Sequence, residues 1–149
     1  MTAPITVGDV MTRGPWVVDD DAPLRQARGL MVDHEIHHLP VVRRGTLVGV
    51  LSDRDVKRAL DPDLGLPPED ELFVRDVCVF DAYTVPPVEP LERVLRAMAS
   101  QHIGSALVVD HVGRRRVDAG ALGQITHAAR AVGVRRARPA AARLAVADA

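Results

Sequence analysis

"VGDVMT", residues 7–12, returns as "VRDVCV" at residues 74–79, and this recurrence decides how the chain folds. Sliding the sequence against itself by 67 positions keeps the copies in register, without a gap, across residues 7–42. Val18 falls on Val85, Pro23 on Pro90, Leu24 on Leu91, Met31 on Met98, Ile36 on Ile103, and Val41-Val42 on Val108-Val109. The second copy then carries seven additional residues within "DHVGRRRVDAG" (110–120), after which "GVLSDRD" (49–55) realigns with "GQITHAA" (123–129). Apolar and turn positions matching at one fixed period mark a duplicated structural unit. A unit of about 55 residues buries little surface by itself, so two copies packed face to face about a pseudo-twofold, sharing one core, are expected. The chain divides into repeat 1 (5–60), an acidic, proline-containing linker "DPDLGLPPEDEL" (61–72), repeat 2 (73–133) and an Ala/Arg-rich tail (134–149).

Within one copy, Trp16, Val17 and Val18 favour a strand before an Asp-rich turn and Pro23, a good early helix residue. Leu24, Ala27, Leu30, Met31 and His34 follow at spacings of three and four, the period of an amphipathic helix; Leu91, Val94, Leu95 and Met98 repeat it. "HLPVV" and "RRGTLVGVLS" read as two strands joined by a turn at Arg44-Gly45, and "DRDVKRAL" closes the unit as a short helix. The order β-α-β-β-α, twice, predicts an α+β fold of small mixed sheets with helices packed on them.

Composition narrows the function classes. The 149 residues contain four aromatics (Trp16, Phe73, Phe80 and Tyr83), so the core must be aliphatic. A formal net charge of −1 supplies no global field toward nucleic acid or anionic membrane. Cys78 is the sole cysteine and has no internal disulfide partner, which fits a reducing compartment. With no long apolar run and no charged-then-apolar leader, a soluble cytoplasmic protein without membrane contact is expected.

"VGVLSDRDVKRAL" (48–60) carries the polar residues of most interest. Ser52 followed three residues on by Asp55 has the form of a helix start, a hydroxyl and a carboxylate satisfying free amides. The same Asp can accept from a vicinal diol such as a ribose, and Arg54 beside it can meet a phosphate. The four residues alone favour the helix start.

The duplicated "VGDVMT", "PLRQARGLMVDHEI", "HHLPVV" and "LVGVLSDRDV" resemble the tandem CBS-domain pair, or Bateman module, over roughly residues 5–133. The match is close in copy one and looser in copy two. The resemblance implies two clefts between repeats that take adenosine-containing ligands: AMP, ADP, ATP, S-adenosylmethionine or NAD. In such modules a Ser/Thr-x-x-Asp of one repeat holds the ribose, while backbone and apolar side chains of the other receive the base. Carried over, one site uses Val50, Ser52, Arg54 and Asp55 for ribose and phosphate, with Val74, Cys78, Val79, Gly104, Ser105 and Ala106 around the base. The second site draws on Val7, Val10, Met11, His37, His38, Leu39, Pro40 and Thr126. There Ala129 stands where copy one has Asp55, so the diol acceptor is missing and a weak, empty or repurposed site is expected. The resemblance also implies a homodimer and a separate effector protein.

The other constellations read more plainly. His34, His37 and His38 lack a ligand partner at a usual spacing, so ordinary surface or cleft histidines are expected rather than a metal site. Cys78 matches Met11 and reads as a small core residue with no base beside it. Arg114-Arg115-Arg116 reads as a solvated loop tip. No acid, base and nucleophile converge, so a non-enzymatic regulatory binding module is the leading expectation. A ligand-free interaction module, and less so a nucleic-acid binder, are the alternatives.

Overall fold

The structure, a computed structural model, describes residues 3–109 and 123–126, the side chains of Ile125 and Thr126 excepted. The insertion 110–120, Ala129 and the tail 134–149 lie outside the described residues. The α-helices and strands among the described residues are α1 (Val7–Val10), β1 (Thr12–Arg13), β2 (Val18–Asp19), α2 (Leu24–Asp33), β3 (His38–Arg43), β4 (Thr46–Ser52), α3 (Asp53–Ala59), α4 (Val74–Val77), β5 (Val79–Phe80), β6 (Thr84–Val85), α5 (Leu91–Gln101), β7 (Ser105–Val108) and β8 (Gly123–Thr126). The fold is α+β, and β2-α2-β3-β4-α3 runs in the order the sequence predicts.

The chain divides into two compact units. Residues 16–82 form one, around a four-stranded sheet of order β2-β3-β4-β5. In it β2 is parallel to β3, and the β3-β4 and β4-β5 pairs are antiparallel. The other unit takes, of the described residues, 3–15, 83–109 and 123–126, around a sheet of order β1-β8-β7-β6 with the corresponding directions. Equivalent residues pair: Val18 with Val41 as Val85 with Val108, and His38 with Ser52 as Ser105 with Thr126.

The fourth strand of each sheet is supplied by the opening segment of the other repeat. β5, from the start of repeat 2, lies on β4 at Val50↔Val79, while β1, from the start of repeat 1, lies on β8 at Thr12↔Gln124. Three backbone hydrogen bonds anchor each segment. Leu24, Val74 and Arg75 donate to Leu72, Ala22 and Asp20, and at the equivalent positions Leu91, Val7 and Gly8 donate to Ile5, Glu89 and Pro87, all at 2.9 Å. Repeat and packing unit are therefore different divisions of the chain.

Among the described residues, the buried side chains gather in two clusters, one in each unit. Val18, Leu24, Met31, Leu39, Leu51 and Val56 gather with Leu72, Val74 and Cys78 of the incoming segment. Val85, Leu91, Val94, Met98, Ala106 and Val108 gather with Val7 and Met11. A small repeat that cannot bury enough of its own surface completes its core with a borrowed segment.

Local chemistry explains the elements. Arg44 (φ 50°) and Gly45 (φ 75°) form the two-residue turn between β3 and β4, both left-handed as a tight hairpin requires. Helix α2 ends with Glu35 at φ 52° while the Ile36 amide reaches back to the Met31 carbonyl; α5 ends the same way with His102 at φ 55° and Ile103 on Met98. The linker is packed onto α2: Leu72 is buried, and the turn Glu69–Glu71 is tied down by Arg28–Glu69 (2.8 Å) and Arg25–Asp70 (3.5 Å).

Gly49 sits where β5 crosses β4. A Cβ there would collide with the Val79 carbonyl oxygen, a backbone atom that cannot rotate away. Gly29, on the exposed side of α2, has nothing within 4 Å of such a Cβ. Two opposite outcomes are expected in urea unfolding: Gly49→Ala loses about 1–3 kcal/mol by overpacking, and Gly29→Ala gains about 0.5–1 kcal/mol from helix propensity. Equal effects at the two glycines would contradict the strand crossing.

Candidate functional site

Strand β4 leads into α3 through Ser52, and the capping box predicted there is fully formed. Ser52 Oγ accepts from the Asp55 amide at 3.1 Å and donates to Asp55 Oδ2 at 2.7 Å, while the Ser52 amide donates to the same Oδ2 at 3.3 Å. Both residues are half-buried and Arg54 is exposed. Among the described residues, Asp55 Oδ1 is engaged by nothing. The box thus uses one carboxylate oxygen and leaves the other for a further donor.

The same acid-at-third-position device occurs twice more. Asp9 Oδ2 accepts from the Thr6 amide at 3.0 Å, and Asp76 Oδ2 from the Phe73 amide at 2.9 Å. Those helix starts hold the opening segments in place. What distinguishes Ser52–Asp55 is its position at the end of a hairpin strand.

Pairing fixes which residues share a sheet face, since directly opposed residues project to the same side. His38 opposes Ser52, Pro40 opposes Val50, and Val50 opposes Val79, so these five lie on one face. Leu39 and Leu51 lie on the opposite face, in the core of that unit. The β4 bulge opposite Val41/Val42 resets this alternation. In the other unit, Ser105 opposes Thr126 in the backbone register, whereas Ala106 belongs to the core.

The residues carried over for the first site therefore separate by what they can offer. Val50, Ser52, Arg54, Asp55, Val74, Cys78 and Val79 all belong to the unit of residues 16–82; Gly104, Ser105 and Ala106 belong to the other. Val74, Cys78 and Ala106 turn their side chains into the cores and have only main chain to present to a ligand. For the second set, Val7, Val10, Met11 and Thr126 lie in one unit and His37, His38, Leu39 and Pro40 in the other. Val7, Met11 and Leu39 are core residues.

His37 has a role that the sequence reading missed. Its carbonyl accepts the Asp53 amide at 2.8 Å and its Nδ1–H donates to Asp53 Oδ2 at 3.0 Å, pinning the chain before β3 to the start of α3. A His sixteen positions before an Asp gives no local pattern; only the hairpin register brings them together. Burial raises the Asp53 carboxyl, but the His37 hydrogen bond and charge, Lys57, and the Arg54 amide outweigh it and hold Asp53 below the ordinary 3.8. His34 stacks on Trp16 with ring centroids 3.8 Å apart. Among the described residues no cluster of His, Cys, Asp and Glu is arranged to hold a metal ion. Burial, with Asp20 adding to it, pushes the Cys78 thiol up to about 11.

The CBS domain model matches residues 7–62 and 74–122, and the chain belongs to that family as a tandem CBS pair. It is 33% identical over 107 residues to homoserine O-acetyltransferase of Methanocorpusculum labreanum, covering 71% of this chain and 20% of that enzyme. The chain thus spans about a fifth of the length of this relative. Among solved structures it is similar to the acetoin utilization protein AcuB from Vibrio cholerae (28% identity, TM-score 0.69, 85% of this chain and 87% of that one). It is also similar to CBSX2 in complex with AMP (26% identity, TM-score 0.67, 83% and 90%). Among the described residues no helix is long and apolar enough to cross a membrane.

Two measurements check the local chemistry. A depressed carboxyl stabilises the fold above its unfolded pKa and loses that contribution as pH falls through the folded value. Asp53→Asn should therefore lower stability modestly at neutral pH and flatten the loss of stability on acidification below 3.8. Cys78, protonated and buried at neutral pH, should react with a thiol reagent only as its unit opens. Full labelling of folded protein within seconds would contradict that placement.

Proposed function

We propose that the chain is a non-catalytic regulatory module that binds an adenosine-containing ligand, with Ser52 and Asp55 holding the ribose and Arg54 meeting phosphate. The observation that carries this is the unengaged Asp55 Oδ1 beside a carboxylate oxygen already fixed by the capping box. A carboxylate locked through one oxygen presents the other at little further entropic cost, and a diol can donate to it. The AMP bound by the similar CBSX2 supports the ligand class. Val50 and Val79 would flank the sugar, with the main chain of Val74 and Cys78 and residues Gly104, Ser105 and Ala106 around the base.

The second set (Val7, Val10, Met11, His37, His38, Leu39, Pro40 and Thr126) would form a degraded site, because Ala129 replaces the acid. Here His37 is already spent on Asp53, which further lowers what that site can offer. Binding at the first site shifts the protein toward whichever arrangement binds more tightly, and only by that difference in affinity. In this reading the signal passes to an effector protein or through a homodimer in the cytoplasm.

A second reading has its own observation. Asp9 and Asp76 occupy the same capping position as Asp55 with no ligand role assigned to them, so capping alone accounts for the acid. A ligand-free interaction module would then keep the fold.

Calorimetry with AMP, ADP, ATP, S-adenosylmethionine and NAD separates the two. Wild type should bind at least one, and a hundredfold excess over Kd should add about 2.7 kcal/mol of stability. Asp55→Ala should abolish ribose-dependent binding while costing about 1 kcal/mol as a lost cap. Silence across the panel, or unchanged binding by Asp55→Ala, would favour the ligand-free module.

A further inference from the structure

We propose that His37 is a positioning residue for the ribose-holding carboxylate, and that its charge makes ligand affinity depend on pH. This deepens the reading of Ser52 and Asp55 given above and rests on it. Every residue involved lies within the unit of residues 16–82.

Asp53 stands between Ser52 and Asp55, so whatever fixes Asp53 fixes the first turn of α3. One residue does this twice over. The His37 carbonyl accepts the Asp53 amide at 2.8 Å, and His37 Nδ1–H donates to Asp53 Oδ2 at 3.0 Å. The next residue, His38, opposes Ser52 in the β3-β4 ladder, so clasp and capping box are neighbours across the strand pair. In the sequence of the second copy, Gly104 stands for His37 and His127 for Asp53, so the clasp has neither of its partners. That is also the copy in which Ala129 stands for Asp55. Clasp and acid occur together in one copy and are lost together from the other, as a clasp that serves the acid would be.

His37 is 72% exposed and meets the bulk pH, while Asp53 is 33% exposed. Burial raises the Asp53 carboxyl, but the His37 bond and charge, Lys57 and the Arg54 amide outweigh it, so the carboxylate stays ionised through the neutral range. The charged groups of α3 at this point are Asp53, Asp55, Arg54 and Lys57, whose Nζ lies 3.7 Å from the same Asp53 Oδ2. His34, Glu35 and His38 flank the ring in its own stretch. Histidine changes charge between about pH 5 and 8. A neutral ring carries one N–H shared between two nitrogens, and only the Nδ1–H form can donate to Asp53; a protonated ring carries both and adds a positive charge. The clasp therefore tightens as pH falls across that range. A ligand that needs the ordered turn binds only the clasped fraction, so its apparent Kd falls as that fraction rises.

Calorimetry with adenosine tests this, because adenosine has the ribose diol and no group that titrates in this range. NAD, whose bridging phosphates keep their charge throughout, replaces it if a phosphate is needed for measurable binding. At low salt, wild type should bind roughly two- to fivefold more tightly at pH 6 than at pH 8, the scale of an exposed ion pair. His37→Ala should bind more weakly at pH 6 and lose the pH dependence. His37→Asn keeps an N–H near the place of Nδ1 but cannot titrate, so it should restore affinity with a flat profile. His34→Gln, at the end of α2, should keep the wild-type profile. Without ligand, amide hydrogen exchange at Asp53 and Asp55 should quicken in His37→Ala and recover in His37→Asn. Exchange at Asp55 indifferent to His37→Ala would overturn the clasp, whatever the protein binds. Equal affinity of wild type and His37→Ala at both pH values would overturn the positioning role and leave Ser52 and Asp55 as the ligand site. If exchange responds but no adenosine compound binds wild type at either pH, the ligand site itself falls, and this role with it.

Discussion

The close crossing of β5 over β4 at Gly49 is the contact on which one whole unit depends. Without a side chain at residue 49, the Val79 carbonyl can lie directly against the strand, and the ladder extends from three strands to four. The incoming segment then delivers Leu72, Val74 and Cys78 to a core that repeat 1 alone leaves incomplete. Gly123 stands at the equivalent place in the other sheet, where a Cβ would meet the Met11 sulfur. The two glycines thus solve the same steric problem, one against backbone and one against a flexible side chain.

The duplication made much of this legible. Apolar positions at a fixed period located both amphipathic helices, the hairpin turn at Arg44-Gly45, and the register that later paired His38 with Ser52 and Ser105 with Thr126. The exchange of opening segments was not legible. Hydrophobic pattern says that Val74 and Cys78 are buried, but not against which copy, because both copies offer equivalent surfaces. A non-local strand pairing leaves no trace in local composition. The same holds for His37–Asp53, which exists only because the hairpin brings its two ends together.

At the candidate site, sequence gave the residues and structure gave their division of labour. Ser52 and Asp55 first read as a cap, and the hydrogen bonds satisfy that reading in full. The ligand-holding role proposed for them rests on a carboxylate having two oxygens, of which the helix consumes one. Several residues carried over by resemblance, such as Val74, Ala106 and Leu39, prove to be core side chains, so selectivity for a ligand would have to come largely from main chain. That arrangement suits recognition of groups common to all adenosine derivatives.

The traded ends also bear on how such a chain arises and how it tolerates being divided. A solitary repeat would have an unfilled edge on its sheet and no place for its own first turn. Two free repeats could satisfy each other only by swapping, a bimolecular event that dilution undoes. Tethering them through a dozen residues turns the swap into an internal closure at millimolar effective concentration. The tether is therefore part of what makes either half a folded object, and severing it should convert a first-order folding reaction into a second-order one.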